Sequence, residues 1–241
     1  MPKIVPIVEG FGEVDAVPVL LGKILGKMAR FDISVARVRN AHSCSNLTKA
    51  GGLEDFITLA SQEPGCGAIL ILMDADKGCP LKIAREFTQR IESAGSKYPV
   101  VTVIANREYE AWFLASLETI SGHDLDGRPG LPTTVVYEDN NVETLVGVKG
   151  WLTRQFVGSR SYKPSQDQAI MTRYLDPDLV EPRSRSFRRL MHAVEEAVAA
   201  IDSKQIVVTP ATLSAVISPA QETPQIKSNQ KLKRANKPHN L

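Results

Sequence analysis

The chain has 241 residues, 43% of them apolar and 23% charged, which fits one sizeable globular domain with an appendix and excludes a low-complexity chain. Its formal net charge of +2 is unevenly placed: Pro219 to Leu241 holds five Lys or Arg and one acid, leaving 24 basic and 26 acidic residues elsewhere. That body is no general polyanion binder, so any nucleic-acid contact must come from local patches.

Taken in order, Ile4 to Val8 reads as a short strand interrupted by Pro6, where an N–H is missing or the strand bends. Glu9-Gly10-Phe11-Gly12-Glu13 follows as a turn, and Val14 to Arg30 has helical periodicity. Ile33 to Val38 alternates as a second strand would, Asn40 to Gly52 is a polar loop, and Leu53 to Glu63 is a helix closed by Pro64-Gly65. Ile69 to Met73 is an unbroken apolar run, as in a strand buried on both faces, and it stops at Asp74. Pro80 opens a helix to Ala94, Val100 to Ile104 is another buried strand, and a helix then carries Trp112, Phe113 and Leu117. Strands alternating with helices predict a mostly parallel α/β sheet with helices on both faces over residues 1–120.

Beyond Ser121 the pattern changes to a mainly helical extension, residues 121–202. It holds a helix from Val142 to Val157, a basic segment between Gly158 and Arg189, and an amphipathic helix from Ser186 to Ile201, capped by Ser184 or Ser186. Residues 203–241 have the composition of a largely disordered tail, in which Gln205 to Val208 and Leu213 to Ile217 are apolar exceptions. Cys44, Cys66 and Cys79 show no metal-ligand spacing, and the apolar run before Glu9 is too short for a secretory leader or a membrane span. A cytoplasmic protein with no membrane partner is the expectation.

Three strand ends terminate in acids: Glu9 and Glu13, Asp74 and Asp76, Glu108 and Glu110. In a parallel sheet these ends share one edge, where open α/β folds bind ligands. Neighbouring carboxylates repel, and oxygen-only donors suit a hard cation, Mg²⁺ or Mn²⁺. Of Glu108 and Glu110, two residues apart, a helix would turn only one toward the site, and Glu108 lies nearer the strand end. Other readings of the same residues stand beside these: Asp76 as a cap for the helix at Pro80, Glu13 as a first-turn acid. The basic segment reads equally as a phosphate-tracking surface or a solvated face, with Lys163, in a Tyr-Lys-Pro turn, the residue best placed to meet a phosphate.

The chain resembles the Toprim family at these residues. V-E-G-F-G-E-V at Val8 to Val14 is similar to the family's strand ending in E-G with an acid three residues on, and D-A-D-K-G at Asp74 to Gly78 to its D-x-D motif. A-N-R-E-Y-E-A-W-F-L-A, Y-K-P-S-Q-D-Q-A and S-F-R-R-L resemble a group of small bacterial Toprim-like proteins. The resemblance implies a Toprim-like fold related to OLD-type nucleases and primases, with Glu9 as general acid or base and Asp74 and Asp76 as Mg²⁺ ligands. It also implies phosphodiester cleavage of nucleic acid, and in some members a neighbour-encoded ATPase partner in defence loci. A homodimer is a further expectation. The competing expectation is a non-catalytic Toprim-like module that docks to an ATPase or nucleic acid.

Overall fold

The computed structural model describes residues 1–139 and 141–211. Within them the chain runs β1 (Lys3–Val8), α1 (Phe11–Lys27), β2 (Ser34–Val35), β3 (Arg39–Asn40), α2 (Cys44–Thr48), α3 (Gly52–Ser61), β4 (Cys66–Asp74) and α4 (Pro80–Ala94). It continues through β5 (Val100–Ala105), α5 (Ala111–Leu114), α6 (Leu117–Ile120), α7 (Val148–Gln155), α8 (Pro164–Tyr174), α9 (Pro177–Arg183), α10 (Arg185–Ser203) and β6 (Val208–Thr209). Among the described residues no helix is long and apolar enough to cross a membrane.

All strand pairs are parallel, in the order β2-β1-β4-β5-β6, with β3 also on β1. The fold is therefore α/β, as the alternation of elements predicts. The second strand, expected as Ile33 to Val38, is instead two short pieces, and Pro6 is the reason. Ile4 and Val8 offer their carbonyls to Ala36 and Ala41 on that edge, so Pro6, two residues from each, also faces it and has no N–H to give. Pairing lapses between Val35 and Arg39, opposite Pro6.

Strand alternation divides the core. Ile4, Val8, Leu70, Leu72, Val101 and Val103 face the layer of α1, α8 and α10, joined by Trp112, Phe113 and Phe187. Val5, Ile7, Ile69, Ile71, Met73 and Ile104 face α3 and α4. Burying a large apolar side chain contributes about 1.5–3 kcal/mol, so both faces of β4 are strongly held and its carboxyl end is a fixed platform. Residues 121–202 are part of this same body: α10 lies on the sheet and shares its core with β1, β4 and β5.

Several elements begin where a local signal dictates. The helix expected from Val142 starts only at Val148, because Gly147 is left-handed at φ 73°. Pro164 and Pro177 open α8 and α9, neither foreseen in the basic segment. Ser184, rather than Ser186, caps α10, its Oγ accepting from the Phe187 N–H at 3.1 Å. The stretch read as a tail from residue 203 contributes β6, which pairs with Val100 and Val101. Leu213 to Ile217 and the rest of that tail lie outside the described residues.

Candidate functional site

At the carboxyl edge of the sheet, β1 and β4 run side by side with Val8 opposite Leu72, which sets Glu9 beside Asp74. The Asp74 N–H lies 3.4 Å from Glu9 Oε2. Asp74 Oδ1 accepts from the Tyr109 N–H at 2.8 Å, so the loop after β5 clamps the end of β4. Glu13, one turn into α1, is buried and accepts from Gln168 Nε2 of α8 at 3.3 Å. This close approach of α1 and α8 requires Gly12, where a Cβ would meet Gln168 Oε1 at 1.8 Å and Pro164 Cβ at 2.7 Å.

The cation among these acids is Lys149. Carried on α7, its Nζ lies 3.1 Å from Glu110 Oε2, 3.4 Å from Glu108 Oε1 and 3.5 Å from Asp74 Oδ2. Glu110 is fully buried and its Oε1 accepts from the Tyr162 hydroxyl at 3.0 Å. Glu108 Oε2 accepts from the Val148 N–H at 2.7 Å, tying down the first turn of α7. Both glutamates therefore reach one ammonium, where one was expected to face away. The expectation assumed a helix through both, whereas Glu108 precedes α5 and Glu110 is its N-cap.

The electrostatics follow from burial. Burial raises the Glu9 pKa, the charge of Asp76 adds to this, and the N–H groups of Asp74 and Cys44 oppose it. Burial, then the charge of Glu110, holds Asp74 well above the usual carboxylate range, with Lys149 opposing. Burial likewise raises Glu110, again opposed by Lys149. For Lys149, burial acts to lower the pKa but the charges of Glu110, Asp74 and Glu108 outweigh it, and the ammonium is held firmly.

A cleft of about 340 Å³ opens onto this group, lined by Glu9, Phe11, Glu13, Asp74, Lys149 and Ser165. Beside it lies a second, of about 380 Å³, lined by Asp76, Lys77, Arg107, Glu108 and Val146. Asp76 is exposed and left-handed at φ 48°, its N–H donating to the Arg107 carbonyl. It does not cap α4, whose N-cap is Cys79. Lys163 is the exposed N-cap of α8, its backbone N–H on Asp167 Oδ2, and it directly precedes Pro164 and Ser165 on the cleft wall. Of the basic segment, Arg160, Arg173, Arg183 and Arg189 each sit on an acid of the chain, while Lys163, Arg185 and Arg188 form no ion pair among the described residues.

A divalent cation fits the chemistry of this donor set. Three of the six carboxyl groups contact Lys149, and burial, then the neighbouring charges of Asp76 for Glu9 and of Glu110 for Asp74, raises the pKa values of both. Among the described residues no three His, Cys, Asp or Glu side chains form a ready cage for an ion. Mg²⁺ commonly takes one or two carboxylates and fills its remaining positions with water and substrate oxygens. Residues 8–195 match the family described as Domain of unknown function (DUF4276). No curated protein and no solved structure matches the chain.

Proposed function

We propose that this chain, which belongs to the DUF4276 family, is a Toprim-type, Mg²⁺-dependent nuclease that cleaves phosphodiesters of nucleic acid. The observation that carries the reading is the pairing of Glu9 with Asp74 in an open cleft that Glu13 also lines, where burial raises the pKa of both paired carboxyl groups. Asp74 and Asp76 are the residues that would hold the ion. Bound there, Mg²⁺ or Mn²⁺ supplies a Lewis acid for a phosphoryl oxygen and an acidified water.

The chain's own groups do the rest. With its pKa raised, Glu9 exchanges a proton at Oε2 nearer neutrality than an ordinary carboxyl, which suits general acid or base work. Tyr109 N–H fixes Asp74 Oδ1 and leaves Oδ2 toward the cleft and Lys149. Lys149, with its three donors on Asp74, Glu108 and Glu110, holds these acids in place beside the cleft. A neighbour-encoded ATPase and a second copy of the chain are the partners this reading admits.

The test is cleavage of single- and double-stranded DNA and RNA with Mg²⁺ or Mn²⁺, with and without neighbour-encoded proteins. Metal-dependent cutting that Asp74→Asn lowers at least about 100-fold is expected. Equal cutting by wild type and variant overturns the assignment. One observation favours a second reading, a binding or regulatory module: Lys149 already neutralises part of the acid edge without any metal. Co-purification with an ATPase and no cleavage under any condition would select it.

A further inference from the structure

Phe11, the first residue of α1, is 65% exposed although it stands between the acids Glu9 and Glu13 on the wall of the cleft. Its ring meets that of exposed His42, from the loop after β3, at 5.2 Å between centroids and 51° between planes. His42 is held there in left-handed backbone at φ 67°, its N–H donating to Asn40 Oδ1 at 2.7 Å. A single exposed ring on a surface is ordinary. Two exposed rings from separate elements, in contact with each other and with Phe11 on the wall of the acid cleft, make an aromatic surface beside it.

We infer that Phe11 and His42 stack an unpaired nucleobase of a single-stranded nucleic acid whose adjoining phosphodiester lies at Glu9 and Asp74. The inference rests on the nuclease reading and narrows its substrate. Aromatic faces take bases of any sequence because every base has a π-face, whereas bases inside a duplex present no free face. The backbone has its own partners across the mouth: Lys77 and Arg107 line the neighbouring cleft and form no ion pair among the described residues. Base on one side and phosphate charge on the other give a strand a fixed direction through the site.

The experiment measures binding of the full chain, with Ca²⁺ in place of Mg²⁺, to three fluorescein-labelled probes: a short single-stranded oligodeoxynucleotide, its abasic counterpart and its duplex. The base-bearing strand is expected to bind about tenfold tighter than the other two, the order one stacked base contributes. Phe11→Ala should lose that tenfold and bind the base-bearing and abasic strands alike, while Phe11→Trp retains affinity and its indole emission falls on binding. Equal affinity of wild type for base-bearing and abasic strands, wild-type affinity in Phe11→Ala, or no binding of any probe overturns the inference. Cleavage of the same probes with Mg²⁺ judges the nuclease reading separately. A protein that cuts base-bearing and abasic strands equally keeps that reading and loses the platform, and one that stacks bases without cutting does the reverse.

Discussion

Along one edge of the sheet, Asp74, Glu108 and Glu110 surround an ammonium from α7, whereas Glu9, Glu13 and Asp76 form no ion pair among the described residues. Residue types are the same in both halves, and the strand ends that carry them are neighbours. What differs is the source of compensation: Lys149 balances Asp74, Glu108 and Glu110 from within, although Asp74 and Glu108 also line the clefts, whereas the outer acids have no ion-pair partner among the described residues. An internal ion pair fixes structure, while an unbalanced carboxyl group is free to exchange a proton or take a cation from outside. Substitutions that separate the halves should therefore separate activity from stability.

The largest effect is expected in the outer half. Glu9→Gln keeps the shape and removes the proton site, and should lower metal-dependent cleavage by about 10²–10⁴-fold while urea denaturation shows no loss of stability. A variant that cuts normally would remove Glu9 from the chemistry and leave the outer half a mere surface. In the inner half the expected loss is of stability. Lys149→Met leaves Glu110 buried beside an apolar group, and breaking a fully buried pair costs about 3–5 kcal/mol. Because the Lys149 side chain is 37% exposed, water relieves part of this, and about 2–3 kcal/mol is the expectation from the urea midpoint. Adding Glu110→Gln should restore part of it, since the two groups are coupled. Additive losses would show that the pair does not act as a unit.

The inner half was also the less legible from sequence. Strand ends announce themselves: an apolar run that stops at Asp74, and another that stops before Glu9, place one acid of each half without a structure. Lys149 has no such signal, since it lies on a short amphipathic helix 75 residues from Asp74 and reads as any exposed lysine. Its place depends on where α7 begins, which Gly147 decides. Glu110 was obscured by the turn that starts α5, and Lys163 drew notice because a Tyr-Lys-Pro turn looks like a phosphate contact. Similarly, β4, α4 and β5 could be read closely from periodicity, whereas α8 and α9 were hidden in a basic segment, four of whose arginines pair with the fold's own acids. Local patterns encode elements and strand ends; tertiary ion pairs are set by packing that no local window contains.

The seam between the helices that bracket the cleft offers a smaller effect. In Gly12→Ala the new Cβ would meet Gln168 Oε1 at 1.8 Å and Pro164 Cβ at 2.7 Å, so α8 must shift away from α1. Overpacking of this kind costs about 1–3 kcal/mol. Gln168 would also be displaced from Glu13, so a loss of cleavage exceeding the loss of stability is expected. Unchanged urea midpoint and unchanged cleavage would show that the two helices are free to slide apart.

The smallest effect, and the one that compares the halves most directly, is in the pH dependence of stability. Burial and the charge of Asp76 raise the Glu9 pKa above its ordinary 4.5, so the folded chain binds that proton more tightly than the unfolded chain. The stability this contributes is fully present below the unfolded value and is lost as pH rises through the folded one. Asp74 and Glu110, also raised, act in the same direction, so the difference between wild type and Glu9→Gln isolates Glu9. That difference should be smallest in acid and should grow in favour of Glu9→Gln as pH rises above 4.5 toward neutrality. Lys149, raised by its three carboxylates, behaves oppositely in place: its contribution is whole at neutral pH and is lost only as pH rises into the alkaline range beyond ordinary lysine. Wild type and Lys149→Met should therefore converge in alkali, while wild type and Glu9→Gln converge in acid. Urea midpoints across the pH range measure both, and a Glu9→Gln gain that did not vary with pH would show that Glu9 is held by shape rather than by charge.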